Sequence, residues 1–130
     1  MAFQVGGLEL LAPLIQLGQV IPLHDPLHFL QGQPDIQLGV MVHLGRTLAV
    51  MDLARVLGRP ATTAATHVLS LPDSRIALTV DAIIGTQEIG EADVQLRGRR
   101  RGVIVGTHRE SLRPLLDITA LRWLNGRPVL

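Results

Sequence analysis

The segment Gly39-Val40-Met41-Val42-His43-Leu44-Gly45-Arg46-Thr47-Leu48-Ala49-Val50-Met51-Asp52-Leu53 joins two apolar runs through a glycine turn and ends on an acidic residue. Gly39 to His43 reads as a buried strand. Gly45-Arg46 turns the chain, and Thr47 to Met51 returns as a second strand. Asp52 suits a helix N-cap, because its carboxylate can accept from the free amides of a first turn. Leu53, Val56 and Leu57 fall on one side of a short helix, which Gly58 and Pro60 stop.

The same grammar extends outward. Phe3-Gln4-Val5 alternates, Gly6-Gly7 supplies the positive φ of a hairpin turn, and Leu8 to Ala12 returns until Pro13. Leu14 to Ile21 mixes helical-turn and strand character. His24 to Ile36 and Ala61 to Thr66 read as connections. His67 to Leu71 is a strand, Pro72-Asp73-Ser74 a turn, and Arg75 to Asp81 a strand with Ile76, Leu78 and Val80 on one face. Ala82 to Ile89 stays extended, and Gly90 to Arg101 reads as a polar loop. Gly102 to Gly106 and Leu112 to Leu116 are strands. Asp117 then caps a final helix over Ile118, Leu121 and Leu124, stopped by Asn125-Gly126.

The halves look alike. Leu8–Ala12 lines up with Ile76–Val80, Gly39–Val42 with Gly102–Val105, and Asp52–Val56 with Asp117–Leu121. A mostly β chain of two small packed barrels, each closed by a short helix, fits this order. One domain is expected over residues 1–130. Its subdomain halves fall near 1–66 and 67–130, with exchange of strands between them allowed.

Composition narrows the function. The 130 residues are 47% hydrophobic but only 2% aromatic, with no cysteine. That excludes disulfide scaffolds, thiolate metal sites and cysteine nucleophiles, and leaves little for base stacking. An aliphatic core is within reach of a chain this long. No arginine precedes Arg46, and the longest charge-free stretch near the start, Leu10–His24, is broken by prolines and glycine. Neither a secretory signal nor a membrane span is expected, and the reading is cytoplasmic with no membrane insertion.

Reactive constellations are scarce. His24 and His28 have helical ligand spacing, but Pro26 lies between them and no glutamate follows His24, so no metal site is assigned. His43, His67 and His108 are scattered singles. Asp52, Asp81 and Asp117 sit where caps and strand ends belong, without a paired carboxylate. The serines lack a nucleophile elbow, and the glycines form no phosphate loop. No enzyme is expected. The cluster Arg97, Arg99, Arg100 and Arg101 could contact phosphates. A nucleic-acid or polyanion-binding module using that loop is the alternative reading, weakened by a net charge of only +1.

Four ordered blocks carry a resemblance to a known family. Phe3-x-Val-Gly-Gly-Leu8 is followed by Leu10-Leu-Ala-Pro-Leu14 and Val20-Ile21. Gly39 to Gly45 leads to Leu48-Ala-Val-Met-Asp-Leu53 and Leu57-Gly58. Ile76-Ala-Leu-Thr-Val-Asp-Ala-Ile83 precedes Gly85, and Gly102-Val103 precedes Leu115-Leu-Asp-Ile118. This order, from Phe3 to Leu124, resembles the CheW-like coupling proteins of bacterial chemosensory arrays, most closely the PilI-like branch of type IV pilus systems.

The resemblance implies two packed five-stranded SH3-like barrels, no catalysis and no cofactor. It implies an adaptor between a chemoreceptor's cytoplasmic tip and the regulatory domain of a CheA-like histidine kinase. Partner contacts would gather on apolar patches around Val20, Gly39, Val40, Leu44, Gly45, Arg46 and Val50. Two departures stand out. The family's Asn-Leu-Arg-Gly is here Val42-His43-Leu44-Gly45, so Leu44 replaces the arginine associated with coupling. Around Leu48-Ala49-Val50 the family's proline is missing. Neither change removes a core aliphatic, so the resemblance implies an intact fold with specialised partners. The oligomeric state is left open.

Overall fold

The computed structural model describes residues 1–24, 27–29, 32, 35–61, 64–97, 103–120, 122–124 and 127–129; for Ala120 and the last two stretches it describes the backbone alone. The first half contains β1 (Ala2–Val5), β2 (Leu8–Leu11), a 3-10 turn at Leu14–Gln16, β3 (Val20–Pro22), β4 (Gln37–His43), β5 (Arg46–Met51) and α1 (Leu53–Val56). Then come β6 (His67–Ser70), β7 (Ile76–Val80), β8 (Ala82–Gly85), a 3-10 turn at Glu91–Asp93, β9 (Val94–Leu96), β10 (Ile104–His108), β11 (Pro114–Leu116) and a 3-10 turn at Ile118–Ala120. β12 (Arg122–Leu124) and β13 (Arg127–Val129) end the chain.

Two sheets carry the fold. One runs β3-β6-β7-β5-β4 and the other β8-β1-β2-β11-β10-β9. The first five positions of each match, including one parallel pair in the middle: β5 beside β7, and β11 beside β2. The second sheet adds β9 on its edge. One sheet is therefore built from Val20 to Val80 without interruption. The other is built from the chain after Asp81 and completed by the N-terminal hairpin. The sequence boundary expected near residue 66 does not coincide with a sheet boundary; the halves exchange the β1–β2 hairpin.

The repeat extends to single hydrogen bonds. Asp52 N–H donates to Ile36 C=O and Asp117 N–H to Val103 C=O, each at 2.7 Å. Both β4–β5 and β10–β11 carry a register shift, the first between Gln37 and Gly39, the second between Ile104 and Gly106. Structural equivalence therefore pairs Gly39 with Gly106. The sequence match with Gly102 is four residues out of register, and Gly102 itself lies outside the described residues.

Four further expectations are corrected. The β4–β5 turn is Leu44-Gly45, with φ of 50° and 76°, one residue earlier than expected. A two-residue hairpin of this hand needs positive φ at both positions, which places glycine second. The polar stretch after Gly90 contains β9, which pairs with β10 from Val94 opposite His108 to Leu96 opposite Gly106. The final helix is one 3-10 turn followed by the β12–β13 hairpin. Asn-Gly signals a hairpin as strongly as a helix stop, and Trp123 and Val129 favour strands. Leu112, expected in a strand, sits in the turn before β11 with φ of 60°.

The core lies between the sheets. Phe3, Val5 and Leu10 from the N-terminal hairpin meet Met51, Leu53, Leu69, Leu78, Val80 and Leu116. β7 is buried on both faces. Ile76, Leu78 and Val80 face this shared core, while Ala77 joins a smaller cluster with Ile21, Leu48, Val50 and Val68 inside the five-stranded sheet. A strand with both faces covered is the natural place for a mainly aliphatic run, here interrupted by the buried Thr79.

Candidate partner-binding surface

The β4–β5 hairpin projects from the edge of the five-stranded sheet. Leu44 at its tip is 80% exposed, and Val42 just before it is 65% exposed. Gly45 follows in the left-handed region. Arg46 is exposed, and its Nη2 donates to Ser74 C=O at 3.2 Å. A non-glycine residue with φ of 50° stores backbone strain, and an exposed leucine there gains nothing from burial in the free chain. Val20, on edge strand β3, is also exposed. Val20, Val40, Leu44, Gly45 and Arg46 therefore lie on or near the rim of one sheet.

Two expected contact residues serve the interior. Val50 is fully buried in the smaller cluster, so it cannot touch a partner. Gly39 is buried at the register shift, under the segment that crosses β4 at His28. His28 and Val40 exchange both backbone hydrogen bonds there, at 2.8 and 2.9 Å.

Asp52 and Asp117 each bond into the turn that follows them, α1 for the first and a single 3-10 turn, in place of the expected helix, for the second. Asp52 Oδ1 accepts from Ala54 N–H at 3.0 Å. Asp117 Oδ1 accepts from Thr119 N–H, from the Thr119 hydroxyl and from Gln16 Nε2, while Gln16 Oε1 accepts from Ile118 N–H at 2.8 Å. Asp81 Oδ2 accepts from Gly6 N–H at 2.8 Å, tying the first hairpin turn to the end of β7. His108 is buried, with Nδ1 2.6 Å from Ser111 Oγ. Each of these groups has a structural partner. Arg97 N–H donates to Val105 C=O; Arg99, Arg100 and Arg101, central to the polyanion reading, lie outside the described residues.

One surface was not visible in the sequence. A cleft of about 650 Å³ lies over the six-stranded sheet, lined by Leu11, Leu14, Ile89, Val94, Leu96 and Leu115 among others. Leu14 and Leu96 are exposed. The signal for it was the alternation Val94-Gln-Leu96, too short within a polar stretch to be read as a strand. Concave, mostly apolar surface of this kind suits an inserted side chain or segment of a partner protein. Among the described residues, no helix is long and apolar enough to cross a membrane, and no group of three or more histidine or acidic side chains could hold a metal ion.

Twin curled sheets with a repeated five-strand order, sharing one aliphatic core, define a two-barrel β domain. The chain belongs to the CheW-like domain family, whose model matches residues 1–123. Its fold is similar to that of the scaffolding protein TtCheW from Thermoanaerobacter tengcongensis. That match has a TM-score of 0.77 at 15% identity and covers 99% of this chain and 94% of that one. No curated protein matches it in sequence.

Proposed function

We propose that this chain is a non-enzymatic adaptor of a bacterial chemosensory pathway, coupling chemoreceptors to a CheA-like histidine kinase. The family match over residues 1–123 carries this reading. The exposed apolar hairpin tip and the cleft beside β9 support it, since adaptors work by offering such surfaces to partners. The loss of the family arginine at Leu44 points to a specialised adaptor, and the Pro-Leu and Val-Met-Asp-Leu details favour a type IV pilus pathway. The test is capture of purified CheA-like regulatory domains and receptor tips from the same genome by the full chain. Saturable binding to at least one is expected, and binding to none overturns the proposal. Genetic deletion that impairs pilus-driven movement, with flagellar chemotaxis intact, is the expected assignment of pathway; the opposite pattern overturns the pilus assignment.

A further inference from the structure

Ala12 and Leu17 are both packed into the core that the sheets share. The residues between them, 13–16, form a strap over that core and carry the 3-10 turn at Leu14–Gln16. Leu14 is 56% exposed and Ile15 88%. Pro13 and Leu14 line the cleft of about 650 Å³, with Leu11 and Leu115 also on its walls. The strap is therefore one wall of that cleft.

Among the described residues, a single side chain bonds the strap to the rest of the molecule. The backbone bonds here are local: Gln16 N–H donates to Pro13 C=O at 3.0 Å, and Leu17 N–H to Leu14 C=O at 3.1 Å. The side chain of half-buried Gln16 bonds outward in both directions. Its Nε2 donates to Asp117 Oδ1 at 3.0 Å, and its Oε1 accepts from Ile118 N–H at 2.8 Å. Asp117 and Ile118 follow β11, just past Leu115 and Leu116. The clamp thus ties the Leu14 wall of the cleft to the Leu115 wall.

The repeat shows what a fixed joint looks like. In the other half, Leu53 N–H is the counterpart of Ile118 N–H, and it donates to Thr79 Oγ1 at 3.3 Å. Thr79 is fully buried on β7, which is paired on both sides by β5 and β6. That acceptor cannot leave without breaking the sheet. At Ile118 the acceptor sits at the end of a flexible side chain, on one 3-10 turn, facing another. Isolated 3-10 turns are weakly held. Water replaces half-exposed side-chain hydrogen bonds at small net cost.

We infer that residues 13–16 are a hinged strap and that Gln16 is its latch. Shut, the latch holds Leu14 in the cleft wall. Open, it frees Ile118 N–H and widens the cleft, while Ala12 and Leu17 stay packed and both sheets stay intact. A local opening of this kind costs far less than global unfolding. The free chain makes this motion with no partner present.

The test is native-state hydrogen exchange of the isotopically labelled full chain, in urea below the unfolding transition. The Ile118 amide should exchange at a rate nearly independent of urea, whereas the amides of β7 should quicken steeply with it, following global unfolding. Gln16→Met keeps the side-chain length and removes both bonds. It should speed Ile118 exchange by about tenfold or more and shift the Leu14 methyl signals, with the signals of β7 unmoved. Asp117→Asn keeps an acceptor for Gln16 and Thr119, so Ile118 exchange should stay within about twofold of the parent. Ile118 exchange that shares the urea dependence of β7 overturns the latch, whether or not Gln16→Met folds. A folded Gln16→Met chain with parental Ile118 exchange and parental Leu14 signals also overturns it, as does an Asp117→Asn chain that exchanges as fast as Gln16→Met.

Discussion

Gly39 and Gly106 hold the same position in the two sheets, each beneath a carbonyl of the segment that crosses its strand. A Cβ on Gly39 would lie 2.8 Å from His28 O, and one on Gly106 2.8 Å from Gln95 O. Both contacts are with backbone, so relief requires moving a paired segment. Gly39 also has φ of 156°, which Gly106 does not share. Gly106→Ala should therefore destabilise by about 2 kcal/mol through steric conflict alone, and Gly39→Ala by more. Gly45→Asn is the contrast: φ is 76° but the space is open, and asparagine tolerates that region. Denaturant unfolding should show the first two midpoints lowered and the third nearly unchanged.

The N-terminal hairpin is structural despite its position at the start of the chain. Phe3 is fully buried in the shared core, and β1 lies between β2 and β8. Phe3→Ala removes the largest side chain of that core and should cost about 3–5 kcal/mol. By contrast, Glu9→Gln, which breaks the 2.8 Å ion pair with Arg113 on a half-exposed carboxylate, should cost less than about 1 kcal/mol. A thermal melt in which both variants fall equally would contradict this division of labour.

Local patterns were legible where one interaction dominates. Gly6-Gly7 sets the first turn, Asp52 and Asp117 cap as their position before apolar residues suggests, and Ile76, Leu78 and Val80 share a face. The register of the repeat was not legible, because Gly-Val-x-Val recurs at Gly102 while the requirement for glycine comes from a crossing backbone at Gly106. β9 was hidden because its pairing with β10, not its own composition, makes it a strand. The last helix failed for a similar reason: Asn125-Gly126 fits two local outcomes, and cross-strand pairing of Trp123 with Pro128 decided between them. Of the candidate contacts, Val50 was misplaced because a strand's inward and outward residues depend on register.

Asp52 separates capping from the cost of burial. Its side chain is fully buried, with Oδ1 bonded to Ala54 N–H and Oδ2 without a hydrogen-bond partner among the described residues. The cap contributes about 1 kcal/mol, while a buried carboxyl oxygen left without a hydrogen bond is costly. Asp52→Asn keeps an acceptor for Ala54 and replaces the buried carboxyl, so it should be as stable as the parent or more so. Asp52→Ala loses the acceptor and should be less stable by about 1–2 kcal/mol. Chemical denaturation of the two variants side by side reads the difference directly. An Asp52→Asn variant as unstable as Asp52→Ala would mean that the carboxylate itself is needed.

Leu44 tests whether the hairpin tip serves binding at the expense of stability. With φ of 50° and 80% exposure, the leucine is strained and unsupported by packing. Leu44→Asn, followed by Gly45, gives the turn its preferred pair and should stabilise by about 0.5–1 kcal/mol. If the tip contacts a partner through its apolar side chain, the same change should weaken capture of that partner. Leu44→Arg supplies the arginine that the resemblance led one to expect and should leave stability within about 0.5 kcal/mol, since the site is open to solvent. Its capture of a CheA-like kinase should rise if the arginine alone sets ordinary coupling. A Leu44→Asn variant that gains stability and binds its partners undiminished would remove the tip from the interface and shift attention to the cleft beside β9.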